Sequence, residues 1–419
     1  MENTKNVTSW KNVTLREICE RVESVKRKEK HPNEQFLYLD IGGIDNLSNK
    51  IVSHKNYNWG NAPSRAQQIV LVGDILFSTV RTYMKNIAMV ETKNYDKQIA
   101  SSGFCIVRVD KKLATPKFIF HYLTSQSFLQ PLNELQTGSS YPAVRDKDVF
   151  SQPLTLPSLH TQQAIVSKIE ELFSELDKGI ENLLTVQQQL TTYRHSVLKW
   201  AFEGKLTSVK IIEEELPNGW KWVSMNDVCY RIGDIDHKMP KQQSSGFPYV
   251  STKDFTDDLK ISFENVKYVS ENDYINLSRK IKPENGDIIF PRYGTIGKNI
   301  LVDFDKEFLV SYSCAVIKPN RNIVLSKYLY LYSLSPKISS EIKKYVVETT
   351  QANIGIASIK KFVFPLPNMK EQIKVVQAIE RLLSIADKMQ ESITRSLQQA
   401  AALRQSILKK AFEGKLVTE

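Results

Sequence analysis

Apolar positions follow two different patterns along this chain, and the patterns alternate twice. From Ile165 they return at steps of four and three: Ile169, Leu172, Leu176, Leu183, Val186, Leu190, Tyr193, Val197 and Trp200, with Gly179 the one break. That is heptad a/d spacing held for about five repeats, and it predicts a long coiled-coil helix. A second series runs through Val375, Ile379, Leu382, Ala386, Met389, Ile393, Ala400, Leu403 and Ile407, with small residues that let another helix come close. Elsewhere apolar residues form short β-type runs at Ile69–Val72, Ile75–Phe77, Phe104–Val109, Ile288–Phe290 and Cys314–Ile317. Helical stretches are expected near 116–130 and 326–345, with turn phrases such as IGGIDN and KPENGD between elements.

The alternation is a duplication. At an offset of 210, Leu156–Leu206 and Leu366–Leu416 align over 51 residues without a gap and share 23 identities, opening on LP and closing on AFEGKL. The flanking parts match more loosely but in order: Ser9–Val22 with Gly219–Ile232, Gly73–Val90 with Gly286–Val302, Pro116–Ser125 with Ser326–Ser335. The chain therefore divides into a variable domain at 1–155, a kept helix at 156–206, a second variable domain at 207–365 and a second kept helix at 366–419. We expect an α+β fold with two domains of small twisted β-sheets, separated by two long antiparallel coiled-coil helices and related by an internal pseudo-two-fold repeat.

Helix punctuation agrees. Ser158 and Asn368 follow Pro157 and Pro367 as caps, with Glu371 at the capping-box position. Gly204 and Gly414 suit the left-handed residue that ends a helix. Each helix would span roughly 65–70 Å. One such helix alone would leave its seam wet, so the two are expected to pack together. The packing seam is assigned to Ile165, Ile169, Leu172, Leu176, Leu183, Leu190, Val375, Ile379, Leu382, Ile393, Leu403 and Ile407. Antiparallel packing would also bring Leu416 near Trp10.

Composition changes this picture only modestly. The 419 residues are 41% hydrophobic with a net charge of +11, a balance that supports a polyanionic partner. No apolar run approaches the roughly 18 residues of a spanning helix and the start is polar, so an intracellular, cytoplasmic protein with no membrane association is expected. Cys19, Cys105, Cys229 and Cys314 form no C-x-x-C pair and fit small buried hydrophobes. Catalytic motifs are missing. RYGTIGKN lacks phosphate-loop spacing, no H-E-x-x-H occurs, and there is no Asn-Pro-Pro-aromatic tetrad of the kind that acts on an adenine amine. Neither a catalytic nor a metal-binding residue is assigned.

Basic, aromatic and amide side chains in the variable domains remain. STVRTYMKN offers Arg81, Tyr83 and Lys85, and PRYGTIGKN offers Arg292, Tyr293 and Lys298. Near the domain ends lie Ser139, Ser140, Tyr141 and Arg145, and Gln351, Asn353 and Lys360. Arginine can grip guanine, glutamine and asparagine can grip adenine, and lysine or hydroxyls serve phosphates, so these are the candidate DNA-binding residues.

A variable domain followed by a long helix opening LP…Q and closing AFEGKL, all done twice, resembles the specificity subunit of Type I restriction–modification systems. GDILFSTVRTYMKN and GDIIFPRYGTIGKN resemble that family's GDIL…GxxGK element, with Arg81 where the second copy has Gly294 and Met84 where it has Gly297. The resemblance implies a non-catalytic subunit whose two target-recognition domains each read half of a bipartite double-stranded DNA site in the major groove. It implies antiparallel helices that act as a ruler and dock two methyltransferase (modification) subunits and, optionally, two motor-nuclease (restriction) subunits. S-adenosylmethionine, ATP and magnesium would belong to those partners, and this chain would hold no cofactor of its own. The competing expectation, a coiled-coil adaptor joining two proteins, differs in ignoring DNA.

Overall fold

Short runs that are apolar on both faces become strands covered on both sides, because only then is every side chain buried. Ile75–Ser78, Phe104–Val107 and Ile288–Pro291 are buried throughout. The computed structural model describes residues 10–207, 216–237, 239–346 and 352–417. Within it the chain forms two compact units, Met1–Leu183 with Arg395–Glu419, and Leu184–Thr394.

The first unit contains β1 (Lys11–Thr14), β2 (Gln35–Leu39), β3 (Ile44–Asp45), β4 (Lys50–Ile51), β5 (Lys55–Asn58), β6 (Ala66–Ile69), β7 (Ile75–Ser78), β8 (Ile87–Met89), β9 (Ile99–Ser101), β10 (Phe104–Val107) and β11 (Pro153–Leu156). Its helices are α1 (Pro116–Leu123), α2 (Gln126–Glu134), α3 (Asp146–Phe150) and the first part of α4 (Leu159–Phe202). β10–β7–β8 form an antiparallel sheet, and β5–β2–β9–β6 form a second sheet whose β2–β9 pair is parallel. β1 closes on β11 with Lys11 opposite Leu156. Around β7 and β10 one core gathers Phe77, Phe118 and Phe128 with Ile165, Val166 and Ile169 of α4, and with Ile407, Leu408 and Ala411 of the second long helix.

The second unit repeats the plan. It holds β12 (Lys221–Ser224), α5 (Met225–Val228), β13 (Cys229–Gly233), β14 (Phe247–Val250), β15 (Lys267–Val269), α6 (Glu271–Ser278), β16 (Ile288–Pro291), β17 (Ile300–Leu301), β18 (Leu309–Val310), β19 (Cys314–Pro319), α7 (Ser326–Ser333), α8 (Pro336–Tyr345), α9 (Ile356–Lys360) and β20 (Val363–Leu366). The rest of α4 and the first part of α10 (Met369–Phe412) complete it. β12 closes on β20 with Lys221 opposite Leu366, and β14–β18 is parallel as β2–β9 is. Val197, Ala201 and Phe202 of α4 join Val375, Val376 and Ile379 of α10 in one core with Tyr328 and Tyr332.

The run expected at Ile69–Val72 shrinks to Ile69, the last residue of β6. Each expected helical stretch breaks in two. Ser125 stops α1 by capping α2, its hydroxyl accepting from the Phe128 N–H, and Pro336 opens α8.

Both long helices are 44 residues. Ser158 Oγ accepts from the Thr161 N–H and Asn368 Oδ1 from the Glu371 N–H, so both expected caps form. Gly204 (φ 74°) and Gly414 (φ 70°) are left-handed, and the next N–H reaches back to Trp200 and Lys410 at 2.8 Å in each case. Leu206 then packs against the core that Trp220 borders, and Leu416 against the core that contains Trp10. Buried Gln162 anchors the start of α4 by donating to the carbonyls of Pro157 and Leu113 and accepting from the Thr115 N–H at 2.8 Å. Gln372 makes the same three bonds with Pro367, Ile323 and Leu325.

The helices pair antiparallel within each unit. Arg404 of α10 forms an ion pair with Asp177 of α4 and lies 4.4 Å over the Phe173 ring. Arg194 meets Asp387 at 2.7 Å in the second unit. The expected seam holds at Ile165, Ile169, Leu190, Val375, Ile379, Ile393 and Ile407, which are buried, and at Leu172, Leu176, Leu183 and Leu382, which are half-buried. Leu403 departs from it at 51% exposure, as do Val186 and Met389. Ile379, Ala386, Ile393, Ala400 and Ile407 stay buried at intervals of seven, so one row of the repeat carries the contact while the other row, with Met389 and Leu403, is left exposed.

Candidate nucleic-acid interface

Each unit joins two loops that are far apart in sequence. In the first, the loop after β7 meets the loop before α3: the Arg81 N–H donates to Pro142 O at 2.7 Å and the Val144 N–H to Thr79 O at 2.9 Å. In the second, the Gly294 N–H donates to Ala352 O at 3.1 Å and the Ile354 N–H to Arg292 O at 3.0 Å. Arg81 and Gly294 thus hold one position, and both are left-handed, with φ 50° and 71°. The first loop then turns left-handed again at Lys85, four residues on, and the second at Gly297, three residues on. For arginine and lysine that backbone is strained by about 1 kcal/mol each, a cost proteins tolerate mostly where function requires the shape.

The joint brings Arg81, Ser140 and Tyr141 together. The Arg81 guanidinium donates to Ser140 O at 3.1 Å and lies 4.8 Å over the Tyr141 ring, which is 71% exposed. Tyr83 is 55% exposed at the loop tip, and burial lowers the pKa of Lys85 from its ordinary value. Ser139 and Arg145 are exposed, with Arg145 capping α3 through its backbone. Thr82, Asn133 and Gln136, which sequence reasoning did not single out, brace the tip: Thr82 Oγ1 donates to Asn133 Oδ1 at 2.5 Å and Gln136 to both. Only their polarity next to a basic loop could have flagged them.

In the second unit Tyr293 pairs with Asn353 across the joint. Lys298 is exposed and meets Asp257 at 3.2 Å, a surface pair of little energetic weight. Lys360 ends α9 half-buried. Gln351 lies outside the described residues.

Arg292 does not belong with these side chains. It is buried at 7% exposure, ion-paired with Asp234, and its Nε–H donates to Ile354 O at 3.0 Å. Its partners hold it inside the fold, where no base edge can reach. Thr79 takes the equivalent place in the first unit and donates to Gly103 O at 3.1 Å.

Burial pushes the thiol pKa of Cys19, Cys229 and Cys314 up to about 12, which leaves no ready nucleophile among them. Among the described residues no group of three or more His, Cys, Asp or Glu side chains could hold a metal ion, and no helix is long and apolar enough to cross a membrane.

Residues 8–186 and 217–399 match the model of the Type I restriction modification DNA specificity domain. The chain belongs to that family. The specificity subunit of the Escherichia coli Type I restriction enzyme EcoBI is 24% identical over 333 residues, covering 75% of this chain and 69% of that one. The EcoKI specificity subunit of Escherichia coli K12 is 25% identical over 332 residues, covering 76% and 69%. Among solved structures, a chain from work on complex assembly and conformational transition of the type I R-M system is 27% identical, with TM-score 0.78 over 99% of this chain and 100% of that one. The HsdS subunit from Thermoanaerobacter tengcongensis is also 27% identical, with TM-score 0.59 and 97% coverage of each chain. As a family member the chain is a specificity component rather than a catalytic one.

Proposed function

We propose that the chain selects a bipartite double-stranded DNA target for a Type I restriction–modification complex in the bacterial cytoplasm, each unit reading one half-site in the major groove. One observation carries this reading: the same backbone joint recurs in both units while its presented side chains differ, Arg81, Tyr83 and Tyr141 in one and Tyr293, Lys298 and Asn353 in the other. A kept joint with divergent tips suits two similar readers of different bases. The paired helices fix the half-site spacing and dock two modification subunits and, optionally, two restriction subunits. S-adenosylmethionine, ATP and magnesium enter with those partners.

The test is methylation mapping in a host that carries this chain with its cognate modification subunit. A two-part motif is expected. Replacing residues 1–155 with the equivalent domain of another family member should change one half-site alone, and removing one heptad from both helices should change only the spacer. Absence of methylation at every bipartite motif would sink the proposal and favour the adaptor.

A further inference from the structure

A hairpin that the sequence marks only as turn-forming residues lies against the Arg81 loop. β3 and β4 enclose Asn46–Asn49. Asp45 braces the tip, one carboxylate oxygen accepting from the Leu47 N–H at 3.2 Å and the other from the Ser48 N–H at 3.2 Å and the Ser48 hydroxyl at 2.5 Å. Asn46 donates to Met84 O at 2.9 Å, and Asn49 to Lys85 O and Ile87 O at 3.1 Å. Two asparagine side chains therefore hold the hairpin to the candidate interface with three hydrogen bonds, while Asp45 shapes its tip.

Its contribution to the fold is small. Ile44 joins the core and Ile51 borders it, whereas Leu47 at the tip is 86% exposed. A lone surface leucine needs no explanation. This one follows directly on Asp45 and Asn46, which line an open groove with Arg81, Met84, Asn86 and Tyr141. Tyr83 and Met84 add exposed apolar surface to the same loop, so an apolar lip borders a hydrogen-bonding groove that holds Arg81 and Asp45. Leucine has nothing to offer a phosphate. On a base edge in the major groove, the group that matches an aliphatic side chain is the thymine C5-methyl.

Resting on the DNA-reading role proposed above, we infer that the hairpin is a third recognition element of the first unit and that Leu47 selects a thymine by its methyl group. Asp45, Asn46 and Asn49 are positioning residues that hold Leu47 in register with the Arg81 loop.

The test uses the full chain assembled with its cognate modification subunits and a duplex carrying the mapped motif. Thymines are replaced one at a time by deoxyuridine, which keeps the pairing and removes only the methyl. One position in the half-site governed by residues 1–155 should bind about 3–10-fold more weakly as uracil, and Leu47→Ala should bind the two duplexes equally. The inference is overturned if no uracil in that half weakens binding, if that half contains no A·T pair, or if Leu47→Ala keeps the full discrimination. The uracil series on the unaltered chain overturns the inference by itself when no position responds, and Leu47→Met, which keeps an aliphatic contact, should retain the discrimination that Leu47→Ala loses. A complex that binds no bipartite duplex at all overturns the DNA-reading role instead.

Discussion

The two joints, built on the same hydrogen bonds, solve one backbone problem with opposite chemistry. The second unit places glycine at both left-handed positions, Gly294 and Gly297, and seats its nearby arginine inside on Asp234. The first unit places Arg81 and Lys85 at its left-handed positions and leaves the guanidinium against exposed Tyr141. Strain is thus retained at Arg81 and Lys85 and relieved at Gly294 and Gly297, a difference that fits the proposed use of Arg81 and Lys85 in binding.

The comparison breaks hardest at Arg292. Arg292→Ala removes the buried partner of the Asp234 carboxylate, leaving it Lys280 at 3.4 Å and His237 at 3.3 Å, and should cost about 3 kcal/mol. Thr79→Ala at the equivalent place should cost about 1 kcal/mol. Urea unfolding of the two variants measures the gap, and equal losses would show that the buried ion pair is not what distinguishes the units.

Acid should separate them next. His121, between Phe120 and Phe173, has its pKa lowered to about 4 by burial, while Leu331 stands at the equivalent position. The folded value lies below the ordinary 6.5, so between the two the unfolded chain binds more protons, and stability falls as pH drops through that window. At pH 5 the loss is about 2 kcal/mol. His121→Leu should abolish this acid limb, which thermal unfolding across pH 4–7 would reveal.

The smallest effect is the most diagnostic. Lys85→Gly removes left-handed strain and should stabilise the protein by about 0.5–1 kcal/mol. The same change should weaken DNA binding and reduce its salt dependence by about one ion. A variant that loses stability, or binds DNA unchanged, would deny that the strain serves binding.

Much of this was legible in the chain itself. Heptad spacing and the 210-residue offset located both helices, and Ser158, Asn368, Gly204 and Gly414 marked their ends, because caps and periodicity act over a few residues. The two-loop candidates near Arg81 and Tyr141 were visible as residue types. Their contact was not, since it depends on hydrogen bonds between segments about 60 positions apart. Leu403 has seam spacing in the sequence, but only the row of Ile393, Ala400 and Ile407 is covered, and which row meets a neighbour is settled in space.

The amino-acid order by itself therefore determined the duplication, the long helices and the alternation of kept and variable parts, all of which are periodic or local. Tertiary structure alone decided that Arg292 turns inward to Asp234 while Arg81 stays out against Tyr141, and that the hairpin beginning in IGGIDN is strapped to the Arg81 loop. Burial and pairing are properties of neighbours in space, and two arginines that look alike in sequence acquire different roles from the groups that close around them.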